Sequence, residues 1–213
     1  MRITKDKETR RNELVDASLA LFLEKGYEAT MISDIVRRVN VAQGTFYYYF
    51  KTKQDVLDAV LEHILQDAAN RAQRLVSDDS EPATQRLENL FRMLFSPRGS
   101  MEANSQYSAF LGDPAVSAQL ESVRLHMLGP MLQQLLEAGV ASTEFHSLRF
   151  GAELSQMALT GASGFMAARR QWMRESPMAA DATMDALAEF MERLLGLPDG
   201  KLDFKDKVIR RHL

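Results

Sequence analysis

Apolar residues recur at helical spacing along nearly the whole chain, and this pattern constrains the fold more than any other feature. The i, i+3, i+4, i+7 spacing is first met at Leu14, Ala17, Ser18 and Leu21. Similar stripes follow within 32–39, 87–94 and 187–195. No stretch alternates apolar and polar residues between hairpin turn signals. The pattern therefore predicts an all-α protein of about nine helices.

Capping and turn-forming residues mark the ends of these helices. Thr30 is placed to cap a helix from Ile32, and Thr52 with Asp55 resembles a capping box that opens a helix to about Val76. The remaining predicted features are a helix opened by Asp113-Pro114 and kinked at Gly129-Pro130, a helix from about Glu144 to Arg170, and one from Met178 to Leu195 stopped by Gly196 and Pro198.

The composition excludes several classes of protein. The chain has 213 residues, 46% of them hydrophobic, which is enough to form a buried core. It has no cysteine, so disulfide scaffolds, cysteine-ligated zinc and thiol nucleophiles are excluded. The longest uncharged stretch, Leu154 to Ala168, is too short and polar to span a bilayer, and the charged start lacks a signal-peptide core. We therefore expect a soluble cytoplasmic protein that contacts no membrane.

Charge is distributed unevenly along the chain. Residues 1–53 carry 10 Lys+Arg against 7 Asp+Glu, residues 54–200 carry 11 against 20, and residues 201–213 carry 5 against 2. A basic start on an acidic body suits a protein that presents one end to a polyanion, because phosphate attraction is local at ordinary salt. Ordinary scatter of charges is the alternative interpretation.

Residues 30–53 have the layout of a helix-turn-helix. A short amphipathic helix, Ile32–Val39, leads to the turn Asn40-Val41-Ala42, where asparagine tolerates a left-handed conformation. A second short helix follows from about Gln43 to Tyr49, with Phe46 and Phe50 four residues apart on one buried face. In a helix-turn-helix the second helix enters the major groove of DNA.

The exposed residues of this segment suit contacts with DNA. A glutamine can pair with adenine, a threonine offers a hydroxyl and a methyl group, and a glycine permits close approach. Tyrosine and lysine suit phosphate oxygens, as do the free amides at a helix start beside a threonine. The candidate DNA-binding residues are Thr30, Gln43, Gly44, Thr45, Tyr47, Tyr48, Tyr49 and Lys53. A half-buried aromatic patch is the alternative, although three adjacent tyrosines cannot all face one core.

The stretch GYEATMISDIVRRVNVAQGTFYYYFKTKQDVL resembles the signature of the TetR family of bacterial transcriptional regulators. The matching positions are Gly26-Tyr27, Thr30, Gly44-Thr45-Phe46-Tyr47, Tyr49-Phe50 and Lys53. The resemblance covers roughly residues 8–60, and LLEAGVASTEF (135–145) is similar to the join between helices 7 and 8 in many members. Two positions depart from the pattern: Asn40 replaces the usual glycine, and Ala42 replaces a common serine, which removes an expected cap.

The resemblance implies a three-helix DNA-binding head and a larger helical bundle. Residues 1–53 would form the DNA-binding domain, with helix 4 connecting from 52 to about 76. Residues 54–200 would form the ligand-binding and dimerisation domain, and residues 201–213 a basic tail. That tail can dock on the body, contact DNA or stay mobile and solvated.

Members of this family are homodimers, and the resemblance implies that the last two long helices pair across a two-fold axis. The candidate interface residues are Gly161, Gly164, Leu187, Phe190, Met191, Leu194 and Leu195. The alternative is that these residues pack within one subunit. Two heads one DNA turn apart, about 34–36 Å, would read a near-palindromic operator in double-stranded DNA.

The resemblance also implies a small-molecule effector bound in the body. Methionine and aromatic residues there suit a largely hydrophobic ligand. The candidate pocket residues are Phe91, Phe95, Tyr107, Phe110, Arg124, His126, Met127, Met131, Gln156, Met157, Phe165 and Trp172. Such stripes also occur as plain core.

Enzymatic function has no support in the sequence. No phosphate-binding glycine loop, nucleophile elbow or HExxH motif is present, and the four histidines are scattered. We therefore expect no catalytic residues, no metal and no cofactor. The alternative to an effector-released repressor is a DNA-binding activator, a nucleoid-organising protein or a regulator controlled by a protein partner.

Overall fold

A computed structural model describes residues 6–95 and 107–205 of the chain. These residues form helices joined by short loops, without any strand, which confirms the predicted all-α fold. The helices are α1 Lys7–Lys25, α2 Ile32–Val39, α3 Gln43–Tyr49, α4 Lys53–Val76, α5 Ala83–Phe95, α6 Ser108–Leu111, α7 Pro114–Ala141, α8 Gly151–Glu175 and α9 Pro177–Leu195.

The described helices divide between two compact units. The first unit takes its residues from Met1–Asp67 and Ser105–Arg124, and the second from Ala68–Asn104 and Leu125–Leu213. The division therefore falls within α4 and within α7. The domain boundary expected at residue 53 follows the DNA-binding motif rather than this packing, and that functional division remains a prediction.

The first unit is built around α1, α2, α3 and the start of α4. Phe22 of α1 is buried and stacks on Phe110 of α6, with ring centroids 5.9 Å apart. At the start of α7, the Gln119 side-chain amide donates to Asp58 of α4 and accepts from Gln54 at 2.7 Å. Helix α6 and the first turns of α7 thus belong to the same packed unit as the helix-turn-helix.

The second unit has the larger apolar core. Its α5 helix presents Leu87, Leu90 and Phe91 to the interior with at most 1% exposure. Helix α7 contributes Leu132, and it continues through Gly129-Pro130 to Ala141 without ending at the proline. The unit is closed by apolar side chains from α8 and α9.

The loop from α7 to α8 differs from the prediction, because α8 begins at Gly151 and not near Glu144. The carboxylate of Glu144 accepts hydrogen bonds from the backbone N–H groups of Ala83 and Thr84, at 2.8 and 3.0 Å, and so caps α5. Phe145 packs against Gly139 so closely that a Cβ atom there would lie 2.0 Å from the ring. These contacts hold the loop in an irregular conformation that a helix from Glu144 could not provide.

Residues 197–205, here called the carboxyl-terminal arm, dock on the second unit. Leu202 is 6% exposed, and the fully buried Phe204 ring stacks on Phe91 at 4.8 Å. The buried Glu192 carboxylate accepts from the backbone N–H groups of Gly200 and Leu202, at 3.0 and 2.6 Å. Of the three alternatives for the basic tail, residues 201–205 therefore follow the first, which is docking on the body. Residues 206–213 lie outside the described chain.

The helices of the described chain differ from membrane-spanning helices in their combination of length and composition. None combines the length and the apolar character that a membrane-spanning helix requires.

Candidate nucleic-acid interface

The segment predicted as a helix-turn-helix forms two short helices around a tight turn. Helix α2 ends at Val39 and is followed by Asn40, whose φ of 56° and ψ of 52° lie in the left-handed region, as predicted. The N–H of Val41 donates to Val36 O at 3.0 Å and fixes the turn. Helix α3 then begins after Ala42, which offers no side-chain cap. The sequence predicted that an alanine at this position would leave the helix without a side-chain cap, and the structure confirms this.

Helix α3 has one buried and one exposed side. Phe46 is fully buried and Phe50 is 4% exposed, with ring centroids 5.7 Å apart, which confirms the predicted inward pair. The other side presents exposed residues, here called the reading face: Gln43, Gly44, Tyr47 at 50% exposure and Tyr48 at 66%. Thr45 and Tyr49 are half-buried at its margins. The arrangement fixes the helix by aromatic burial and leaves its polar side open.

Thr30 does not cap α2, which corrects the sequence prediction. The residue before the helix is Met31, and the cap is made by Asp34, whose carboxylate accepts from Met31 N–H at 3.0 Å. Thr30 itself is 1% exposed, and its hydroxyl donates to Gly26 O at 2.8 Å. Its side chain therefore fixes the loop between α1 and α2 and leaves no exposed hydroxyl for a phosphate.

Lys53 also has a different role from the free phosphate contact that was expected. Its Nζ donates to the carbonyl oxygens of Tyr27, Glu28 and Thr30, at 3.0, 3.3 and 3.2 Å. It also lies 4.3 Å from the centre of the Tyr27 ring. Because an ammonium group has three N–H donors, these carbonyls account for all of them. Lys53 thus ties the start of α4 to the loop before α2.

The start of α2 carries an ion-pair cluster rather than an open anion site. Hydrogen bonding to Lys25, with help from Met31 N–H, lowers the pKa of Asp34 to about 2. Arg37 also bonds to Asp34, and Arg38 pairs with Glu24 at 2.6 Å. A shallow cleft of about 200 Å³ is lined by Leu21, Lys25, Asp34, Arg37 and Arg38. The carboxylate of Asp34 thus places a negative charge beside the start of α2.

Two basic residues beside α3 were missed by sequence reasoning. Lys7 Nζ lies 5.2 Å from the centre of the Tyr48 ring, and the Arg11 guanidinium lies 5.3 Å from that of Phe50. Their i, i+4 spacing in the basic amino-terminal segment was the available signal, although the partner rings are far away in sequence. The candidate interface thus includes one face of α1.

The family model for bacterial regulatory proteins of the tetR family matches residues 14–60. The transcriptional repressor DhaR of Mycobacterium sp. strain GP1 is 32% identical over 81 residues, which are 38% of this chain and 41% of DhaR. The repressor KstR2 of Rhodococcus jostii is 32% identical over 74 residues, 35% of this chain and 36% of KstR2.

The chain is similar to TetR-family regulators over residues 14–60. The crystal structure of RolR in complex with resorcinol resembles this chain in fold, with a TM-score of 0.56 and 22% identity over 90% of each chain. The two repressors are matched over less than half of their own length. Both of these relatives are transcriptional repressors.

The candidate pocket residues do not form one group. Tyr107, Phe110 and Arg124 belong to the first unit, and the others to the second. Phe91 and Phe95 are buried neighbours with ring centroids 5.5 Å apart. Four of the other candidates are exposed: His126, Gln156, Met157 and Trp172. Three more are half-buried: Met127, Met131 and Phe165. The exposed residues are not part of an interior wall within this chain.

The candidate dimer residues also divide into two sets. Leu187, Met191 and Leu195 are at most 3% exposed and pack within their own subunit, as the alternative interpretation held. Leu194 is half-buried and contacts the same core. The remaining candidates, Gly161, Gly164 and Phe190, are exposed. Only this second set lies on a surface that another chain could reach.

Proposed function

We propose that this protein is a TetR-family, sequence-specific regulator of transcription that binds double-stranded DNA through α3. The observation that carries the proposal is the reading face: Gln43, Gly44, Tyr47 and Tyr48 are exposed together on a helix anchored by the buried Phe46. Half or more of the surface of each of these two tyrosines is exposed and so can be reached by an external partner. The match of residues 14–60 to the tetR family model adds a reason to assign this surface to DNA.

Each residue of the reading face has a distinct use in a major groove. Gln43 stands at the first position of α3, where a side-chain amide can pair with adenine N6 and N7. At Gly44, no protein atom lies within 4 Å of where a Cβ would be, so its small size leaves room for something outside the protein. Tyr47 and Tyr48 offer hydroxyls to phosphates, which set the register of the helix on DNA. Thr30 and Lys53 support this surface by fixing the loop before α2.

The proposal includes a homodimer joined through α8 and α9. Exposed large apolar residues on these helices are Met157, Trp172, Met178 and Phe190, with exposures between 47% and 82%. Gly161 and Gly164 are exposed as well, with nothing within 4 Å of an added Cβ. Glycine weakens a helix interior, and packing inside the subunit does not require it here. Close approach of a second copy would use both features, and two heads would then read a near-palindromic operator.

The proposal further assigns residues 54–200 to dimerisation and effector binding, with residues 1–53 contacting DNA. A small, largely hydrophobic effector would favour a body conformation that binds DNA less well, and DNA would weaken effector binding by the same factor. Resorcinol, the ligand of RolR in the similar fold, is a reasonable first compound to test.

Selection from a random pool of duplex DNA, at two salt concentrations and without added ligand, tests this function. We expect an enriched near-palindrome, and we expect Gln43→Ala to change the preferred bases at a cost of about 1–3 kcal/mol on the best site. Gln134→Ala, in an exposed glutamine of α7, is the matched control and should leave the preference unchanged.

The outcomes separate the parts of the proposal. An enriched single half-site would contradict the homodimer while keeping DNA reading by α3. Equal weakening by Gln43→Ala on every sequence would contradict base reading by Gln43. Operator binding that no apolar compound releases, together with a protein partner that does release it, would favour the partner-controlled alternative.

A further inference from the structure

Lys7 and Arg11 place two positive charges beside the reading face. They stand one turn apart on α1, so their side chains lie on the same side of that helix. Lys7 lies over the ring of Tyr48, which is 66% exposed, and Arg11 lies over the ring of Phe50. Both positive groups are therefore held against aromatic residues at the end of α3.

Neither of these positive groups has a carboxylate partner within residues 6–95 and 107–205. Arg10, which lies between them in sequence, behaves differently, because its guanidinium pairs with Glu13 at 2.6 Å. The same short segment thus holds one neutralised arginine and two positive groups whose only close partners are rings. An aromatic face attracts a cation without neutralising its charge.

The position of Lys7 adds a second reason to look for a partner outside the protein. Lys7 is the first residue of α1, and the amino-terminal end of a helix carries partial positive charge. A lysine there is unfavourable for the helix, so helix stability does not explain it. A guanidinium carries five N–H donors, and an aromatic ring such as that of Phe50 accepts none of them as a carboxylate would.

We propose that Lys7 and Arg11 bind the phosphate backbone of DNA beside the groove that α3 enters. The inference rests on the proposed function, since it needs α3 to bind duplex DNA. Tyr48 and Phe50 hold the two cations in place, so less side-chain freedom is lost when a phosphate binds. These contacts raise affinity for any duplex and carry no base preference.

The test compares the salt dependence of DNA binding for Lys7→Gln, Arg11→Gln and the control Arg10→Gln. Each substitution removes one positive charge and keeps a polar side chain that can still cover a ring. The probes are the duplex enriched by selection and a duplex of the same base composition in shuffled order. Binding is measured over a series of salt concentrations.

One lost phosphate contact lowers the steepness of log K against log salt by about 0.9. Because a dimer has two heads, we expect Lys7→Gln and Arg11→Gln each to lower this steepness by about 1.8. At ~0.15 M salt this corresponds to a roughly thirtyfold loss of affinity, similar for both duplexes. Arg10→Gln should change the slope by less than half as much, because Glu13 already neutralises Arg10.

Equal slopes for all three variants would overturn the inference, since the effect would then reflect net charge alone. Failure of the unsubstituted protein to prefer any duplex would instead contradict the proposed function. Circular dichroism and thermal unfolding check that each variant folds. If Arg11→Gln unfolds the head because Phe50 loses its cover, the exposed Lys7 still decides the question by comparison with Arg10.

Discussion

The reading face of α3 and the contact between α5 and the carboxyl-terminal arm use the same kinds of residue in opposite ways. Around α3, Tyr47 and Tyr48 are exposed, and Lys7 has no carboxylate partner within the described chain. At the arm, Phe91 and Phe204 are fully buried, and the charged groups are bonded to backbone atoms.

At the arm, charged side chains with little exposure find hydrogen-bond and ion-pair partners within the chain itself. Glu88 accepts from Asp203 N–H at 3.0 Å and pairs with Arg92 at 2.6 Å. Arg92 in turn donates from Nε to Lys205 O at 3.0 Å. Because a buried charge without partners is costly, such a network is required for the arm to dock. The comparison teaches that aromatic and charged residues stabilise the fold where they are satisfied internally, and indicate an external partner where they are not.

The largest expected effect comes from removing the buried ring of the arm. Phe204→Ala should lower the free energy of unfolding by about 3–5 kcal/mol, because the truncation leaves a cavity against Phe91. Phe150→Ala, which truncates an aromatic ring that is 56% exposed, is the control and should change it by less than about 0.5 kcal/mol. Urea unfolding measures both. Similar small losses for the two variants would show that the arm does not contribute to stability.

Lys53 is an exception to this comparison. It lies beside the DNA-binding segment, but its ammonium group bonds to carbonyl oxygens of the protein itself. Lys53→Met should lower the free energy of unfolding by about 2 kcal/mol, since three carbonyl oxygens lose a charged donor. Lys51→Met, at an exposed lysine nearby, removes the same charge and should leave stability nearly unchanged. Thermal unfolding of both variants, with DNA binding measured alongside, makes the distinction. A stable Lys53→Met protein with weakened DNA binding would restore the phosphate role expected from the sequence.

Prediction from the sequence succeeded where the signal was local and failed where the partner was distant. The left-handed Asn40 and the buried pair Phe46 and Phe50 follow from residue type and helical spacing, and both are confirmed. Lys53 bonds to carbonyl oxygens 23 to 26 positions earlier in the chain, which no local pattern encodes. The same holds for the start of α8, because Glu144 is used to cap α5, about 60 residues away.

The candidate interface and the candidate dimer surface show the same limit. Helical spacing correctly grouped Leu187, Met191 and Leu195 on one stripe, but the spacing is identical for a core and for a subunit interface. Only the fold shows that these three residues are buried within the chain while Phe190 is 47% exposed. Likewise, Lys7 and Arg11 became candidates once α1 was placed beside the rings of α3.

The smallest expected effect concerns the ion-pair cluster at the start of α2, which is internally paired but exposed. Hydrogen bonds from Lys25 and from Met31 N–H lower the pKa of Asp34 from 3.8 to about 2. A carboxyl group with a lowered pKa in the folded state stabilises that state at pH values above 3.8. This contribution is lost as the pH falls from 3.8 towards 2, where Asp34 becomes protonated in the folded protein as well.

Asp34→Asn should therefore be less stable than the unsubstituted protein at neutral pH, and the difference should shrink across this acid range. Thermal unfolding at several pH values in low salt measures the difference, and Asp16→Asn, at an exposed aspartate of α1, is the control. A difference that stays constant down to pH 2 would mean that Asp34 acts through its geometry as a cap and not through its charge.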